Sequence, residues 1–276
     1  MTKILSKEQI SLYNNNGFVG PITIFSETEA LNHREKFENY EKLNNGWYEL
    51  SKGQKLHLLQ TWVANLVSNS KILDAIEDIL GENIMCWGTS LFVKEPGSDA
   101  YVSWHQDSTY WGLSSTHVLT AWIALSPATI EAGCMKFSAG THKWDQKSHH
   151  DTLHSNNLLT RGQEIEVEVD EKSIAFLPLR PGEASLHNIR TVHSSGPNQS
   201  KDRRIGLAIR YLTPDVKQTG AKGDSAWLVR GSDKFGNFIH EVPPVTDMDS
   251  SAVREHTRIM DLRQKLLYKM TKEKPV

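Results

Sequence analysis

A run of short β-rich segments between residues 83 and 213 most constrains the fold of this 276-residue chain. β-Branched and aromatic residues are frequent in these segments, and turns that contain Gly or Pro separate several of them. Many short strands joined in this way predict a sandwich or barrel. The predicted strands are Ile84–Val93, Tyr101–Asp107, Val118–Leu125, Met135–Phe137, Ser173–Leu177, Ala184–His193 and Ile205–Leu212.

Helix-forming segments lie on both sides of these strands. Ser6 and Gln9 form a capping-box pattern near the N-terminus, and residues 27–43 are rich in helix formers. Apolar residues recur three or four positions apart in Trp62–Leu80, which we predict to be one helix that ends at a glycine. Another helix is predicted at about Ser250–Lys269. The predicted fold is mainly β with flanking helices, around a double-stranded β-helix (jelly roll, cupin-like) core.

The chain is predicted to be a single domain, because no repeat, low-complexity stretch or Pro/Gly/Ser-rich linker divides it. We expect a helical buttress over residues 1–82, the jelly-roll core over 83–213, a flap over 214–245 and a C-terminal helix over 246–276. The flap is expected to move over the site, because several glycines of residues 217–237 surround Trp227 and Arg230.

Composition argues against several kinds of partner. The net charge is −2 and Lys and Arg are scattered, so neither nucleic acid nor an anionic membrane is an expected partner. The chain has no apolar run of the length of a membrane span and no apolar stretch typical of a secretory signal at its N-terminus. Cys86 and Cys134 are predicted to be buried thiols in a reducing compartment, which favours a cytoplasmic location. The sequence leaves the oligomeric state open, monomer or homodimer.

Three His-x-acidic triplets occur, and chance alone produces roughly 1.4 in a chain with 12 His and 33 acidic residues. The triplets are His33-x-Glu35, His105-x-Asp107 and His149-x-Asp151. The first lies in a predicted helix, where residues two apart point in different directions and face solvent. The third lies in a polar stretch that we predict to be a solvated loop. The second follows a predicted strand, where the period of two places both side chains on one face.

His105 and Asp107 could therefore share a metal ion, and a third ligand is needed to complete it. Two His and one carboxylate bind Fe(II) on one face and leave three positions open. His193 is the preferred candidate, because it ends a predicted strand just before a turn; His187 on the same strand is the alternative. Arg204 heads the next strand, and its guanidinium could pair bidentately with the far carboxylate of an oxo acid that chelates the metal.

Several segments in this order together resemble the phytanoyl-CoA dioxygenase family. They are Trp104-His105-Gln106-Asp107, Thr120-Ala121-Trp122, Glu131-Ala132-Gly133-Cys134-Met135, Gly140-Thr141-His142 and His193-Ser194-Ser195-Gly196-Pro197-Asn198. The resemblance implies an enzyme that uses Fe(II), 2-oxoglutarate and O₂. It implies that His105, Asp107 and His193 hold iron and that Arg204 anchors 2-oxoglutarate, with further contacts from Ser195 and Trp122. An aromatic core position remains an equal alternative for Trp122.

The expected reaction is hydroxylation of an unactivated C–H bond of a small polar molecule, with succinate and CO₂ as coproducts. Halogenases of the family replace the ligand carboxylate by a small residue, whereas Asp107 is present here. Tyr110 and Trp111 are candidates for an aromatic wall that suits a cationic group, and Arg230 for a contact to an anionic group; packing and solvent exposure are the alternatives. The expected substrate is a small zwitterion or organophosphonate, such as an aminoethylphosphonate derivative.

Two other functions remain open at this stage. One is a jelly-roll metalloenzyme that works without 2-oxoglutarate, which would have no need for Arg204. The other is a non-catalytic module that binds small molecules, which would have no need for all three metal ligands.

Overall fold

The computed structural model describes residues 2–43, 54–159, 161–220 and 222–269. The helices are α1 (Lys7–Asn16), α2 (Glu27–Leu43), α3 (Thr61–Val67), α4 (Ser70–Leu80) and α5 (Ser250–Lys269). The strands are β1 (Phe18–Thr23), β2 (Ile84–Lys94), β3 (Val102–His105), β4 (Val118–Ala124), β5 (Met135–Ser138), β6 (His149–Asp151), β7 (Gln163–Ile165), β8 (Ile174–Leu177), β9 (Glu183–Asn188), β10 (His193–Ser195), β11 (Arg204–Leu212), β12 (Ser225–Arg230) and β13 (Ile239–His240). Among the described helices, none is both long and apolar enough to cross a membrane.

Two sheets face each other across an apolar layer. The large sheet has the strand order β1-β9-β4-β11-β2-β12-β13, antiparallel except for the parallel β12–β13 pair. The small sheet has the antiparallel order β3-β10-β5-β8. Phe18 of the large sheet stacks on Phe137 of the small sheet with ring centroids 4.5 Å apart. The mainly β fold with flanking helices and a jelly-roll core is therefore confirmed.

The alternation of residues along β11 divides the molecule into an outer and an inner side. One face of the strand carries only large apolar side chains, all of them buried: Ile205, Leu207, Ile209 and Tyr211. They pack against apolar residues of helices α2, α3 and α4, and Tyr211 donates a hydrogen bond to the carbonyl of Val67. The opposite face carries Arg204, Gly206, Ala208 and Arg210 and turns towards the small sheet. The helices thus fix the sheet from outside, and its inner face is available for a site.

The predicted helix Trp62–Leu80 is two helices, so that prediction is wrong in detail. The side chain of Asn69 accepts hydrogen bonds from the backbone N–H groups of Lys71 and Ile72 at 3.0 and 3.4 Å and begins α4. A side chain that caps a new helix interrupts the preceding one. The capping box of Ser6 and Gln9 is present as predicted.

The predicted strand Ala184–His193 is also two strands, and they belong to different sheets. β9 pairs with β1 and β4 in the large sheet, whereas β10 pairs with β3 and β5 in the small sheet. The chain crosses from one sheet to the other between Asn188 and His193. Arg204, expected on the strand beside His193, therefore lies on the opposite sheet and faces the site from there.

The segment predicted to be a flap contains a strand of the large sheet. β12 pairs with the edge of β2, where Trp227 lies opposite Cys86. Arg230 at its end makes ion pairs with Asp74 and Glu77 of α4 at 2.7 and 2.8 Å. Such pairing holds this part of residues 214–245 to the body of the protein, and movement of the segment over the site stays a prediction.

Three other sequence predictions concern His149, helix α2 and the two cysteines. The stretch around His149, predicted to be a loop, includes the short strand β6, which pairs with β7. Within α2, Glu35 is exposed as predicted, but His33 is half-buried and stacks on Trp62. Cys86 and Cys134 are both buried free thiols, as predicted.

Candidate active site

His105, Asp107 and His193 meet in the space between the two sheets. His105 at the end of β3 lies directly opposite His193 at the start of β10, and Asp107 follows two residues after the strand. One ligand atom from each of the three residues lies within 4.8 Å of the other two, and all three residues are buried. Two imidazoles and one carboxylate on one side of a cavity are the donor set that suits Fe(II) with open positions.

The surroundings of the three side chains fix the orientation that a metal needs. Nδ1 of His105 donates to the carbonyl of Ser103 and Nδ1 of His193 donates to the carbonyl of Thr191, each at 2.9 Å. A neutral ring that donates through Nδ1 in this way leaves Nε2 as the nitrogen that can bind a metal. Thr120 of β4 donates to Oδ2 of Asp107 at 3.0 Å, and Oδ1 of Asp107 lies 3.5 Å from Nε2 of His105.

The charge states also match metal binding. Burial alone would raise the pKa of Asp107, but the nearby imidazoles of His105, His187 and His193 hold that pKa well below its usual range. Burial, together with repulsion from the neighbouring imidazoles, lowers the pKa of His193 well below its usual value. At neutral pH the site thus presents a carboxylate and a neutral imidazole, the forms that bind metals.

A second group of polar residues surrounds Ser195 deeper between the sheets. The Arg204 guanidinium is buried, donates to the carbonyl of Gly133 at 3.0 Å and to Oγ of Ser195 at 3.2 Å, and lies 5.0 Å from the ring centroid of Trp122. Gly206 permits this arrangement, because a Cβ atom there would collide with the Trp122 ring. Arg204, Ser195 and Trp122 are therefore brought together, as the family resemblance implies.

Sequence reasoning missed Lys94, which lies directly opposite Arg204 in the register of β2 and β11. Lys94 is fully buried, and its Nζ donates to Oγ of Ser195 at 2.7 Å and to the carbonyl of Gly196. Burial, reinforced by the Arg204 charge, lowers the pKa of Lys94 to about 6. Among the described residues no carboxylate forms an ion pair with either cation. Two buried basic groups around one hydroxyl make a site for an anion.

Comparison with known proteins settles the family. Residues 16–206 match the family model described as phytanoyl-CoA dioxygenase. The chain belongs to the phytanoyl-CoA dioxygenase family. A relative named as a probable alpha-ketoglutarate-dependent hypophosphite dioxygenase of Stutzerimonas stutzeri is 29% identical over 222 residues, 80% of this chain and 71% of the relative. A methylphosphonate hydroxylase of Gimesia maris is 24% identical over 224 residues, 76% of this chain and 82% of the relative.

Solved structures agree with this assignment. A non-heme monooxygenase, ThoJ, superposes with a TM-score of 0.86 at 32% identity, over 95% of this chain and 98% of that one. CytC3 with Fe(II) and alpha-ketoglutarate shares the fold, with a TM-score of 0.63 at 22% identity over 86% of this chain and 93% of that one. This phytanoyl-CoA dioxygenase family member is an Fe(II)- and 2-oxoglutarate-dependent dioxygenase, and its His–Asp–His site can hold the metal.

In this family member, His187 lies next to the three metal-site residues but outside the compact group that they form. It stands on β9 opposite Thr120, and its Nε2 lies 3.5 Å from Oδ2 of Asp107. Its ring centroid is 4.6 Å from that of His193 on the facing sheet. His187 therefore contacts the ligand side chains from the large sheet, and the geometry favours His193 as the third ligand.

A cavity of about 720 Å³ opens onto this centre, and Tyr110 and Trp111 both line it. A guanidinium of the protein already lies near each of these two rings. The Arg161 guanidinium lies 4.0 Å from the centroid of Tyr110, and the Arg210 guanidinium lies 5.6 Å from that of Trp111. The use of this wall for a cationic group of a ligand stays a prediction. Arg230 makes its ion pairs with α4 and is not among the residues that line this cavity, so the geometry lends no support to its predicted contact with an anionic substrate group.

Proposed function

We propose that this enzyme hydroxylates a C–H bond of a small organophosphonate, with 2-oxoglutarate converted to succinate and CO₂. Fe(II) is held by His105, Asp107 and His193. The far carboxylate of 2-oxoglutarate is bound by Arg204 and Lys94 beside Ser195, against the ring of Trp122. The named relatives that act on hypophosphite and methylphosphonate support the choice of a phosphorus-containing substrate.

One observation carries the proposal. Arg204 and Lys94 are buried beside Ser195 with no described carboxylate in an ion pair with either, and the cavity joins Arg204 to the three metal-site residues. Keeping both basic groups charged in a buried site is costly unless an anion binds between them. A dicarboxylate that reaches the metal with one end and these cations with the other satisfies both groups. A metalloenzyme that works without 2-oxoglutarate would have no use for them.

The residues of this chain would position the metal ligands and the cosubstrate and shield the site from water. Bound Fe(II) supplies the activation of O₂. Thr120 keeps Asp107 oriented, and the backbone carbonyls of Ser103 and Thr191 fix both imidazole rings. The rigid fork of Arg204 sets the direction of the cosubstrate, and burial of the site excludes bulk water.

Succinate release from 2-oxoglutarate tests the reaction. The assay contains Fe(II), ascorbate and O₂, with a panel of methylphosphonate, 2-aminoethylphosphonate, hypophosphite, amino acids, other zwitterions and acyl-CoAs. We expect a phosphonate to stimulate release and to gain a hydroxyl group. Stimulation only by a compound without phosphorus would refute the substrate class. No release with any compound, together with no binding of 2-oxoglutarate to the anaerobic Fe(II) protein, would refute the enzyme assignment.

The low pKa of Lys94 predicts a pH dependence of 2-oxoglutarate binding. Lys94 is protonated below a pH of about 6 and neutral above it in the free protein, and only the protonated form attracts a carboxylate. Affinity should therefore fall as pH rises from 6 to 8, by at most about tenfold per unit. In Lys94→Met, affinity at pH 6 should be lower and this slope should disappear. Anaerobic titration of the Fe(II) protein measures both.

The exposed Lys234 provides the control, since Lys234→Met removes a lysine charge far from the site. Comparing the two variants also separates Lys94 from the other ionisable groups of the site, which are the same in both variants. Equal slopes in the wild type and Lys94→Met would show that Lys94 does not bind the cosubstrate.

A further inference from the structure

A second basic group lies at the other end of the inner face of β11. Arg204 and Arg210 are six residues apart on the same face, so their backbones are separated by about 20 Å. Arg204 serves the 2-oxoglutarate end in the function proposed above. Arg210 lines the same cavity and has no part in that arrangement.

The contacts of the Arg210 side chain fix its position but leave part of its hydrogen-bonding capacity unused. Its Nη1 donates to Oγ of Ser90 at 2.6 Å, and its guanidinium lies 6.0 and 5.6 Å from the ring centroids of Phe92 and Trp111. Nε is buried and has no hydrogen-bond partner among the described residues. No carboxylate of the described chain forms an ion pair with it. A guanidinium that is fixed in place and not neutralised is prepared for an anionic ligand.

The position of Arg210 connects it to the metal site. Its neighbour across β4 is Thr120, the residue that donates to Asp107. Adjacent strands are about 4.8 Å apart, so the base of Arg210 is one strand away from the group that orients a ligand carboxylate. Asp107 and Arg210 both line the cavity. A small molecule held by Arg210 can therefore reach the metal site.

Arg263 of α5 brings a second guanidinium to this end of the cavity. It lies 4.0 Å from the ring centroid of Trp87 and donates to the carbonyl of that residue at 3.1 Å. Gly88, opposite Arg210 on β2, leaves the space: a Cβ there would lie 3.2 Å from Nη1 of Arg263. Asp224 lies 3.6 Å from Nε of Arg263 and balances its charge. The charge of Arg210 has no such ion pair among the described residues.

We propose that Arg210, assisted by Arg263, binds the anionic oxygens of the phosphonate group of the substrate and so directs its carbon atoms towards the metal site. Arginine pairs well with phosphoryl oxygens, because its planar fork can donate two parallel hydrogen bonds. The hydrogen bond to Ser90 and the nearby rings of Phe92 and Trp111 restrict the position of that fork. This inference rests on the proposed function for its substrate class, but it can be tested without turnover.

Binding of methylphosphonate to the Zn(II)- and 2-oxoglutarate-loaded protein, followed by calorimetry and ³¹P NMR, is the experiment. We expect Arg210→Met to weaken binding about 10- to 100-fold, the loss typical of a charged hydrogen-bonding group. Arg210→Lys should recover part of it, since the charge returns without the fork. The uncharged dimethyl ester of methylphosphonate should bind both proteins equally weakly. Affinity for 2-oxoglutarate should not change.

A purely structural role for Arg210 predicts a different set of results. Because Arg210 is half-buried without an ion pair among the described residues, the melting temperature of Arg210→Met should equal or exceed that of the wild type. A structural role would lower it. Arg258→Met is the control, since Arg258 is exposed on α5 and pairs only with Glu255 among the described residues.

The outcomes separate this inference from the proposed function. Equal affinity of the wild type and Arg210→Met for methylphosphonate, or a large fall in melting temperature, overturns the inference even if phosphonates are hydroxylated. Absence of methylphosphonate binding to the loaded wild type overturns it as well. Binding that depends on Arg210, without succinate release with any phosphonate, supports the anion site and refutes the reaction.

Discussion

Asp107→Ala is expected to abolish succinate formation and to weaken Fe(II) binding. The substitution removes the only carboxylate among the three candidate ligands and leaves two imidazoles, His105 and His193. Loss of an outer partner of a metal ligand typically costs about 10- to 100-fold, so loss of the ligand itself should cost more than about 100-fold. Succinate release and the Fe(II) content of the anaerobic protein measure the two effects.

Two controls make the result specific. Thr120→Ala removes the hydrogen bond to Asp107 but keeps the carboxylate, and should reduce activity only about 10- to 100-fold. Glu35→Ala changes the exposed acidic residue of another His-x-acidic triplet and should have no effect. Full activity of Asp107→Ala with iron alone would disprove the ligand assignment.

Glu241→Ala is expected to destabilise the protein by about 3–5 kcal/mol, the cost of leaving a buried partner charge unpaired. Glu241 and Lys55 are both buried and form an ion pair, and Glu241 also binds His57 Nε2 at 2.9 Å and Ser225 Oγ at 2.7 Å. This cluster joins residues 55–57 to β12 and to the residue after β13. For a chain of this size the melting temperature should fall on the order of 10 °C, which calorimetry would measure.

A double variant tests the electrostatic cause. Glu241→Leu combined with Lys55→Met removes both charges and should regain much of the stability lost in Glu241→Ala. Glu255→Ala on the surface of α5 should cost less than about 1 kcal/mol, because its ion pair with Arg258 is solvated. If the double variant is as unstable as Glu241→Ala, the cost lies in packing and not in the unpaired charge.

The same cluster predicts sensitivity to acid. Burial alone would raise the pKa of Glu241, but Lys55 and His57 hold it well below its usual range. A depressed pKa in the folded state gives stability that is complete above the unfolded value of about 4.3 and is lost as pH falls towards the folded value. The stability difference between the wild type and Glu241→Gln should therefore shrink below a pH of about 4.

The sequence was sufficient where local periodicity carried the information. The period of two in a strand placed His105 and Asp107 on one face, and the strand-end position singled out His193. The distances between these three side chains, and the placement of His187 on the other sheet, depend on where the chain crosses between the sheets. No local sequence pattern indicates that crossing. Arg204 was recognised by the chemistry of its cosubstrate, although the sheet that carries it was predicted wrongly.

Other residues were out of reach because they depend on register and packing. Lys94 matters because it faces Arg204 across two strands 110 residues apart in the chain. The ion pairs of Arg230 could not be predicted, because its partners on α4 are distant in sequence. A signal for Arg210 did exist: it has the same parity along β11 as Arg204, and the strand pattern alone could have placed both on the inner face.

The division of the metal site between the sheets has a consequence for the whole sandwich. His105 and His193 belong to the small sheet, whereas Asp107 is tied by Thr120 to the large one. A metal ion bound by all three side chains would therefore cross-link the two sheets at the centre of the sandwich, as a disulfide cross-links a secreted domain. Metal binding should then reduce local opening between the two sheets. The backbone amides of β10 and β4 should gain much more protection from hydrogen exchange than the amides of the outer helices.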